Sequence, residues 1–124
     1  MSTVLPVKTP DFLDALHSRV LIGDGAMGTQ LQGFDLDVET DFLGLEGCNE
    51  ILNDTRPDVV AQIHRAYFTA GADLVETNTF GCNLPNLADY NIADRCQELA
   101  YKGTRIAHTV ANELGPGRNG MRRF

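Results

Sequence analysis

The chain has 124 residues, of which 43% are hydrophobic and 22% are charged, and its formal net charge is -7. This is the ordinary composition of a soluble globular domain or of a part of one. No apolar run approaches the roughly 20 residues needed to cross a bilayer, and the amino terminus lacks the features of a signal peptide. We therefore expect a cytoplasmic protein without a membrane partner.

The excess of negative over positive charge lies in one segment. Residues 33–55 contain acidic side chains but no Lys or Arg, whereas acids and bases balance in the rest of the chain. A chain with this charge distribution is not expected to bind nucleic acid. The segment fits either a solvated loop or a lid beside a binding site. Its acids are Asp35, Asp37, Glu39, Asp41, Glu46, Glu50 and Asp54.

The first predicted element is a short helix near the amino terminus. Thr9 is a cap candidate, Pro10 suits the first helical position and Asp11 supplies an early acid. The apolar side chains between Phe12 and Leu16 form a short face. We expect this helix to plug one end of the fold.

Two strands are predicted from apolar runs that break into polar residues and glycine. The first covers about residues 19–22 and ends in the Gly-Asp-Gly turn at 23–25. The second starts at Asp73 and ends in the polar stretch 76–79. In α/β proteins the carboxyl ends of parallel strands carry the ligand site. Two polar strand ends therefore predict one shared site.

Helical periodicity predicts most of the remaining elements. After a helical turn at about 29–32, the clearest pattern runs from Arg56 to Ala70, and Gly71 stands where a left-handed cap belongs. A short helix is expected over 83–90 and a long one over 94–114. The long helix starts with a capping-box sequence, in which Asp takes the cap position and Gln follows three residues later.

The order of these elements indicates an α/β fold with a parallel sheet. A further strand is expected to begin at Phe124, where an apolar residue follows a basic tail. Two strands do not make a self-sufficient sheet. We therefore expect the chain to be a piece of a larger domain.

Several common site motifs are disfavoured by their context. The glycines at 23, 25 and 28 match the dinucleotide fingerprint, but no second strand follows soon enough, and Asp24 would set a negative charge beside a pyrophosphate. The cysteines and histidines show no zinc-site spacing and no disulfide framework. We expect Cys96 to be a core residue, His64 and His108 to be surface groups, and the three cysteines to lie in different layers of the fold.

Asp24 and the polar stretch at 76–79 each allow a structural and a binding interpretation. Asp before Gly often accepts a hydrogen bond from the nearby backbone, whereas a carboxylate at a strand's carboxyl end is suited to bind a ligand. Alternate side chains of the polar stretch face opposite sides of the sheet, so about half of them are expected to be structural.

Four blocks of sequence are more specific as a set than any single motif. They are residues 23–29, 45–52, 56–67 and 71–81. In their order and content they resemble the homocysteine S-methyltransferase family, and most closely its cobalamin-dependent members. The resemblance covers about residues 19–114. Betaine-dependent and S-methylmethionine-dependent members of the family remain as alternatives.

The resemblance implies a (β/α)8 TIM barrel, of which this chain would supply an amino-terminal helix and about the first two β/α units. It implies an enzyme that methylates homocysteine to methionine, with methylcobalamin, recharged from methyltetrahydrofolate, as the methyl donor. In the family, a zinc ion held by three cysteines lowers the pKa of the homocysteine thiol. Those cysteines come from late barrel strands, so Cys48, Cys82 and Cys96 do not match them.

On this resemblance, residues 1–124 are expected to be an amino-terminal fragment of the homocysteine-binding domain. The later strands and the folate, cobalamin and reactivation domains would be absent, and the zinc cysteines would lie beyond residue 124. The expected substrate-binding residues are Asp24, Gly25, Thr77, Asn78 and Thr79, with no catalytic residue and no metal ligand.

The fragment alone is expected to bind neither zinc nor cobalamin and to be inactive. Its expected partners are homocysteine and the remaining domains of the enzyme. The alternative is a non-catalytic truncated product that serves as a binding or assembly module.

Overall fold

The computed structural model describes residues 11–124, which form α-helices joined by turns and by short 3-10 helices. The α-helices are α1 (Phe12–Ser18), α2 (Gly28–Leu31), α3 (Leu52–Thr55), α4 (Pro57–Ala70), α5 (Leu84–Asp89) and α6 (Cys96–Leu114). The 3-10 helices are Asn49–Ile51, Ala93–Arg95 and Arg118–Gly120. Among these described residues, no helix is both long enough and apolar enough to cross a membrane.

Helix α4 has the boundaries that its sequence predicts, to within one residue. Pro57 occupies its first turn, and it ends at Gly71, whose φ of 118° is a left-handed conformation that glycine adopts without strain. Val59, Val60 and Ile63 are buried along one face, as helical spacing requires. The predictions of α2, α5 and the body of α6 are confirmed in the same way.

Two apolar clusters form the interior of the helical layer. The first consists of Leu31, Leu52, Val59, Val60 and Ile63, and the second of Cys48, Ile51, Leu87 and Leu99. Full burial of one such aliphatic side chain contributes about 1.5–3 kcal/mol relative to an exposed one. The first cluster joins α2, α3 and α4, and the second joins the turn before α3 to α5 and α6.

Helix α6 begins differently from its capping-box sequence. A 3-10 turn precedes it, its first residue receives no side-chain cap, and Asp94 is exposed. The predicted capping box is therefore wrong. Arg95 instead forms ion pairs with Glu98 at 2.8 Å and with Asp54 of α3 at 2.9 Å. The partner in α3 is far away in sequence, which is why local spacing did not reveal it.

Helix α1 leaves much of its apolar face exposed. Asp11 caps it through a capping box, whereas Thr9 and Pro10, which the sequence placed at its start, lie outside the described residues. Of the helix, Ala15 is buried, but Leu13 is 64% exposed. Phe12 packs edge to face against Phe124, with the ring centroids 5.5 Å apart. The expectation that this helix plugs one end of the fold stays a prediction.

The acidic segment has two structurally different halves. In the first, the Asp37 carboxylate accepts the backbone N–H groups of Glu39 at 2.9 Å and Thr40 at 2.8 Å, which makes an exposed turn. In the second, Ile51 and Leu52 are completely buried. The loop prediction fails for this second half, because its helical turns are too short to show an apolar periodicity.

The two segments predicted as strands lie side by side in parallel. Gly23 and Leu74 form an isolated parallel bridge. The Asp73 N–H donates to the Ile22 carbonyl at 2.8 Å, and the Asp24 N–H donates to the Leu74 carbonyl at 3.3 Å. The polar ends of both segments therefore emerge at the same edge.

Phe124 pairs with the opposite edge of the second segment. Its N–H donates to the Asp73 carbonyl at 2.8 Å, and its carbonyl accepts the Val75 N–H at 3.0 Å. A residue that bonds in this way to two positions on one neighbour is paired in parallel. Between residues 11 and 124 the pairing does not extend to a full strand, so the expected partial barrel stays a prediction.

His64 is buried, and the expectation that it is a surface group is wrong. Its side chain is completely enclosed, and neither ring nitrogen has a hydrogen-bond partner among the described residues. Burial disfavours the charged imidazolium and lowers the pKa of His64 to about 4. The apolar stripe of α4 does not reveal that α2, α3 and α6 all pack against this helix. His108, by contrast, is exposed as expected.

Candidate functional site

The first strand end, which we name the Asp24 turn (residues 23–25), lies directly against the second. A Cβ atom on Gly25 would come within 2.4 Å of the Glu76 backbone nitrogen, closer than any real side chain approaches. Glycine is needed at this position because the two backbones touch there. The structure thus brings the two predicted strand ends together.

Asp24 presents its carboxylate to solvent at this junction. Its side chain is exposed, and its Oδ1 accepts the Gly25 N–H at 2.8 Å. This is the local hydrogen bond that Asp before Gly commonly forms. A carboxylate has room for several further hydrogen bonds, so the turn bond leaves acceptor capacity for a ligand.

The second strand end continues into residues 77–81, which we name the threonine loop. The hydroxyl oxygens of Thr77 and Thr79 are 2.6 Å apart and share a hydrogen bond. Both side chains are half-buried, whereas the neighbouring Phe80 is fully exposed. The loop therefore offers a pair of hydroxyls at the edge where Asp24 offers a carboxylate.

Asn78 lies between these threonines but points its amide into the protein. Its side chain is 4% exposed, and its Nδ2 donates to the Asn49 carbonyl and to Asn53 Oδ1, both at 2.9 Å. Asn53 Nδ2 in turn donates to the Asn78 carbonyl at 2.8 Å and to the Leu99 carbonyl at 3.1 Å. The side-chain nitrogen of Asn78 is therefore fully used within the chain.

Glu50 holds the far end of the threonine loop. This buried carboxylate, 8% exposed, accepts the Gly81 N–H at 2.9 Å, while Asn86 Nδ2 donates to the Gly81 carbonyl at 2.9 Å. A Cβ on Gly81 would come within 2.4 Å of Glu50 Oε1. The loop is thus bonded at both of its ends.

Sequence reasoning missed Asn53 and Glu50 as residues of the site. Both lie in the 33–55 segment, where acids are frequent and apolar periodicity is absent. For Glu50 the one available signal was the resemblance of residues 45–52 to the same block of a known family, whereas Asn53 lies just beyond that block. That resemblance marked the block without saying what its side chains do.

Asp73 anchors the base of the Asp24 turn. It is 3% exposed, it accepts the Ile22 N–H at 2.9 Å, and it forms ion pairs with Arg19 at 2.9 Å and Arg118 at 2.8 Å. Burial acts to raise the pKa of Asp73, but these hydrogen bonds outweigh burial and hold it at about 2. Asp73 is therefore ionised throughout the physiological pH range.

The three cysteines lie together, and the expectation that they occupy different layers is wrong. Cys82 and Cys96, both half-buried, pack against the cluster that contains the fully buried Cys48. Burial raises the pKa of the Cys48 thiol, and it raises that of Cys82 to about 11. These surroundings favour neutral thiols.

This cluster does not fit a zinc ion. Zinc binds cysteine as thiolate, which the raised thiol pKa values disfavour. Across residues 11–124, no group of three or more His, Cys, Asp or Glu side chains has a geometry that holds a metal. The chain described here therefore offers no zinc ligand set.

A recess of about 540 Å³ lies on the α6 side of the paired segments. Thr77, His108 and Arg123 contribute to its wall, whereas Asp24 does not. The recess therefore adjoins the junction between the Asp24 turn and the threonine loop without including Asp24. Thr77 is the side chain that the two places share.

Comparison with known proteins identifies relatives that share these segments. The profile of homocysteine S-methyltransferases matches residues 21–122. The methionine synthase of Mycobacterium tuberculosis (strain ATCC 25618 / H37Rv) is 70% identical over 105 residues, which are 85% of the chain and 9% of that protein. The methionine synthase of Mycobacterium leprae (strain TN) is 66% identical over 104 residues, 84% of the chain and 8% of that protein.

The matched region includes the Asp24 turn, the threonine loop and helices α2 to α6, so the class is that of S-methyltransferase domains. The chain belongs to the homocysteine S-methyltransferase family. It spans less than a tenth of the length of the methionine synthases that it resembles.

Proposed function

We propose that the chain is the amino-terminal part of a homocysteine-binding domain in a methionine synthase, which methylates homocysteine to methionine with methylcobalamin as donor. The identity of 70% to a methionine synthase supports this proposal. The observation that carries it is the contact of Gly25 with the backbone of Glu76, which sets an exposed carboxylate beside the threonine loop.

The residues of this junction have roles that suit an amino-acid substrate. The Asp24 carboxylate would accept hydrogen bonds from the α-ammonium group of homocysteine. Gly25, without a side chain, leaves the neighbouring backbone accessible. The hydroxyls of Thr77 and Thr79 would donate hydrogen bonds to polar atoms of the same substrate.

Zinc and cobalamin would belong to other parts of the proposed enzyme. When bound, zinc would supply a homocysteine thiolate at neutral pH. Since the cysteines of this chain do not fit that role, its ligands are expected beyond residue 124. The parallel row of segments at 22–24, 73–75 and 124 supports a partial (β/α)8 barrel. Later strands of the same domain would complete the barrel, and the remaining domains would belong to the same cytoplasmic enzyme.

Asp24→Asn in the natural full-length protein tests this proposal. Loss of a hydrogen bond to a charged group costs about 1.5–3 kcal/mol. The KM for homocysteine should therefore rise roughly tenfold to a hundredfold, while zinc content stays the same. Asp35→Asn changes an exposed acid of the 33–55 segment and should leave KM unchanged. A wild-type KM in the Asp24→Asn enzyme would remove Asp24 from the site.

The methyl donor needs a separate assay. The full-length protein should form methionine from homocysteine when methylcobalamin is supplied. Betaine and S-methylmethionine, which other branches of the family use, should not replace it. Methionine formation from either of these donors alone would assign the chain to another branch.

A further inference from the structure

Two buried asparagines join the threonine loop to the helical layer. We propose that this asparagine pair, Asn53 and Asn78, is a positioning device that sets the direction of Thr77 and Thr79 toward the substrate. The inference rests on the proposed homocysteine pocket. It assigns a role to Asn53, and it makes Asn78 a positioning residue rather than one that touches the substrate.

The hydrogen bonds of the pair are reciprocal and complete on the donor side. Asn53 Nδ2 donates its two N–H groups to the carbonyls of Asn78 and Leu99, at 2.8 and 3.1 Å. Asn78 Nδ2 donates its two N–H groups to Asn53 Oδ1 and the Asn49 carbonyl, both at 2.9 Å. The peptide between the two threonines is thereby tied to α3 and to the first turn of α6.

Gly103 of α6 provides a second, independent observation. A Cβ at this position would lie 2.6 Å from Asn53 Nδ2, 2.9 Å from Thr79 Cγ2 and 3.1 Å from the Asn78 carbonyl oxygen. Glycine inside a helix is less favourable than alanine. At Gly103, the absence of a side chain lets the threonine loop and the asparagine pair pack directly against α6.

Burial separates positioning from direct binding. Asn53 is 2% exposed and Asn78 is 4% exposed, so neither amide reaches a ligand in solvent. The half-buried hydroxyls of Thr77 and Thr79 flank Asn78 in the chain. A displacement of about 1 Å at a binding group lowers activity by up to a hundredfold. Movement of the Asn78 peptide would shift both hydroxyls together.

The test replaces Asn53 in the natural full-length protein and measures KM, kcat and the unfolding temperature. Asn53→Ala should raise the KM for homocysteine at least about tenfold and change kcat by less than about threefold. Asn53→Ser, which keeps one hydroxyl donor, should recover part of the affinity. If Asn53→Ala does not fold, Asn53→Ser is the variant whose KM is measured.

Ile63→Val is the matched control. It removes one methyl group from a fully buried site on α4 and lowers stability without touching the threonine loop. Its KM should equal that of the wild type although its unfolding temperature falls. If Asn53→Ala and Asn53→Ser lower the unfolding temperature and leave KM as in this control, the positioning role is overturned.

Asp24→Asn, measured beside these variants, distinguishes the two proposals. If Asp24→Asn raises KM and the Asn53 variants do not, the positioning role fails and the proposed pocket stands. If neither substitution changes KM, the proposed pocket fails, and the positioning role falls with it. A rise in KM for both substitutions, with kcat little changed, supports both.

Discussion

The two halves of the candidate site are held in different ways. The Asp24 turn is held by the paired second segment, through the hydrogen bond of the Asp24 N–H to the Leu74 carbonyl, the close approach at Gly25 and the Asp73 carboxylate at its base. The threonine loop is held by buried side chains of another segment, Asn53 and Glu50. The Asp24 turn therefore depends on pairing between two segments, and the threonine loop depends on hydrogen bonds to the buried side chains beneath it.

The two halves also differ in how strongly their binding depends on orientation. The Asp24 turn presents an exposed carboxylate, which attracts a cationic group over a range of orientations. The threonine loop presents neutral hydroxyls, whose hydrogen bonds weaken steeply when they are misaligned. A binding group that depends on direction needs a rigid support, which the buried amides supply. Substitutions in the Asp24 turn and in the support of the threonine loop should therefore impair binding for different reasons.

Gly25→Ala should break this arrangement with the largest effect. Its Cβ would lie 2.4 Å from the Glu76 backbone nitrogen, and a backbone atom cannot move aside as a flexible side chain can. We expect a loss of roughly 3 kcal/mol in the free energy of unfolding and no measurable homocysteine binding. Thermal unfolding and titration calorimetry of the full-length protein would measure both.

Gly28→Ala is the control for Gly25→Ala. The atom nearest to its Cβ would be Asn49 Nδ2, 4.0 Å away, which is an ordinary contact. Alanine also favours the helix α2 that starts at this position. Stability should stay the same or rise slightly, and binding should not change. Equal damage from both variants would mean that contact between the backbones does not determine the site.

Acid should loosen the Asp24 turn before the asparagine pair. The Asp73 carboxylate beneath the turn has a pKa of about 2, whereas an unfolded chain takes up this proton near pH 4. The unfolded state therefore binds the proton first as the pH falls. The stability from Asp73 is complete above about pH 4 and lost toward pH 2, by about 2–3 kcal/mol. The asparagine pair has no group that titrates.

Amide hydrogen exchange at about pH 4.5 and pH 2.5 would measure this difference. The amides at 22–24 should lose protection at the lower pH before those at 78–79. Asp73→Asn should cost about 2 kcal/mol at neutral pH and remove most of the acid dependence. His64, with its pKa of about 4, loses its contribution to stability between about pH 6.5 and 4, mostly above this window. Equal loss of protection at 22–24 and at 78–79 would contradict the prediction.

The helices were predictable wherever their determinants are local. The ends of α4 follow from Pro57 and Gly71, and its buried face follows from spacing alone. The burial of His64 depends on three other helices, so no pattern within α4 contains it. The start of α6 was misjudged for the same reason, because Arg95 is paired with Asp54, 41 residues earlier.

The candidate site was predictable at its surface and not at its base. The meeting of Asp24 with residues 76–79 followed from the general placement of parallel strand ends. The support by Asn53 did not follow, because its hydrogen-bond partners lie 25 and 46 residues away. A polar residue on a four-residue helix has no periodicity that distinguishes a buried position from an exposed one.

Tyr67→Phe should have the smallest effect of these substitutions. It tests whether α4 couples the Asp24 turn to the threonine loop. The Tyr67 hydroxyl donates to the Ala26 carbonyl at 2.7 Å, just after the Asp24 turn. Removing the hydroxyl keeps the packing of the ring and costs about 0.5–1.5 kcal/mol. Because Ala26 is exposed, water can replace the lost donor, which favours the lower end of that range.

The exchange pattern of Tyr67→Phe is more informative than its stability. Amides at 26–28 should exchange faster, those at 77–81 should not change, and the KM for homocysteine should rise by about threefold at most. Tyr101→Phe, at a tyrosine of α6 that is 66% exposed, is the control and should change neither quantity. Faster exchange in the threonine loop of Tyr67→Phe would mean that α4 couples the two halves. The division between a turn held by its paired segment and a loop held by buried side chains of another segment would then be wrong.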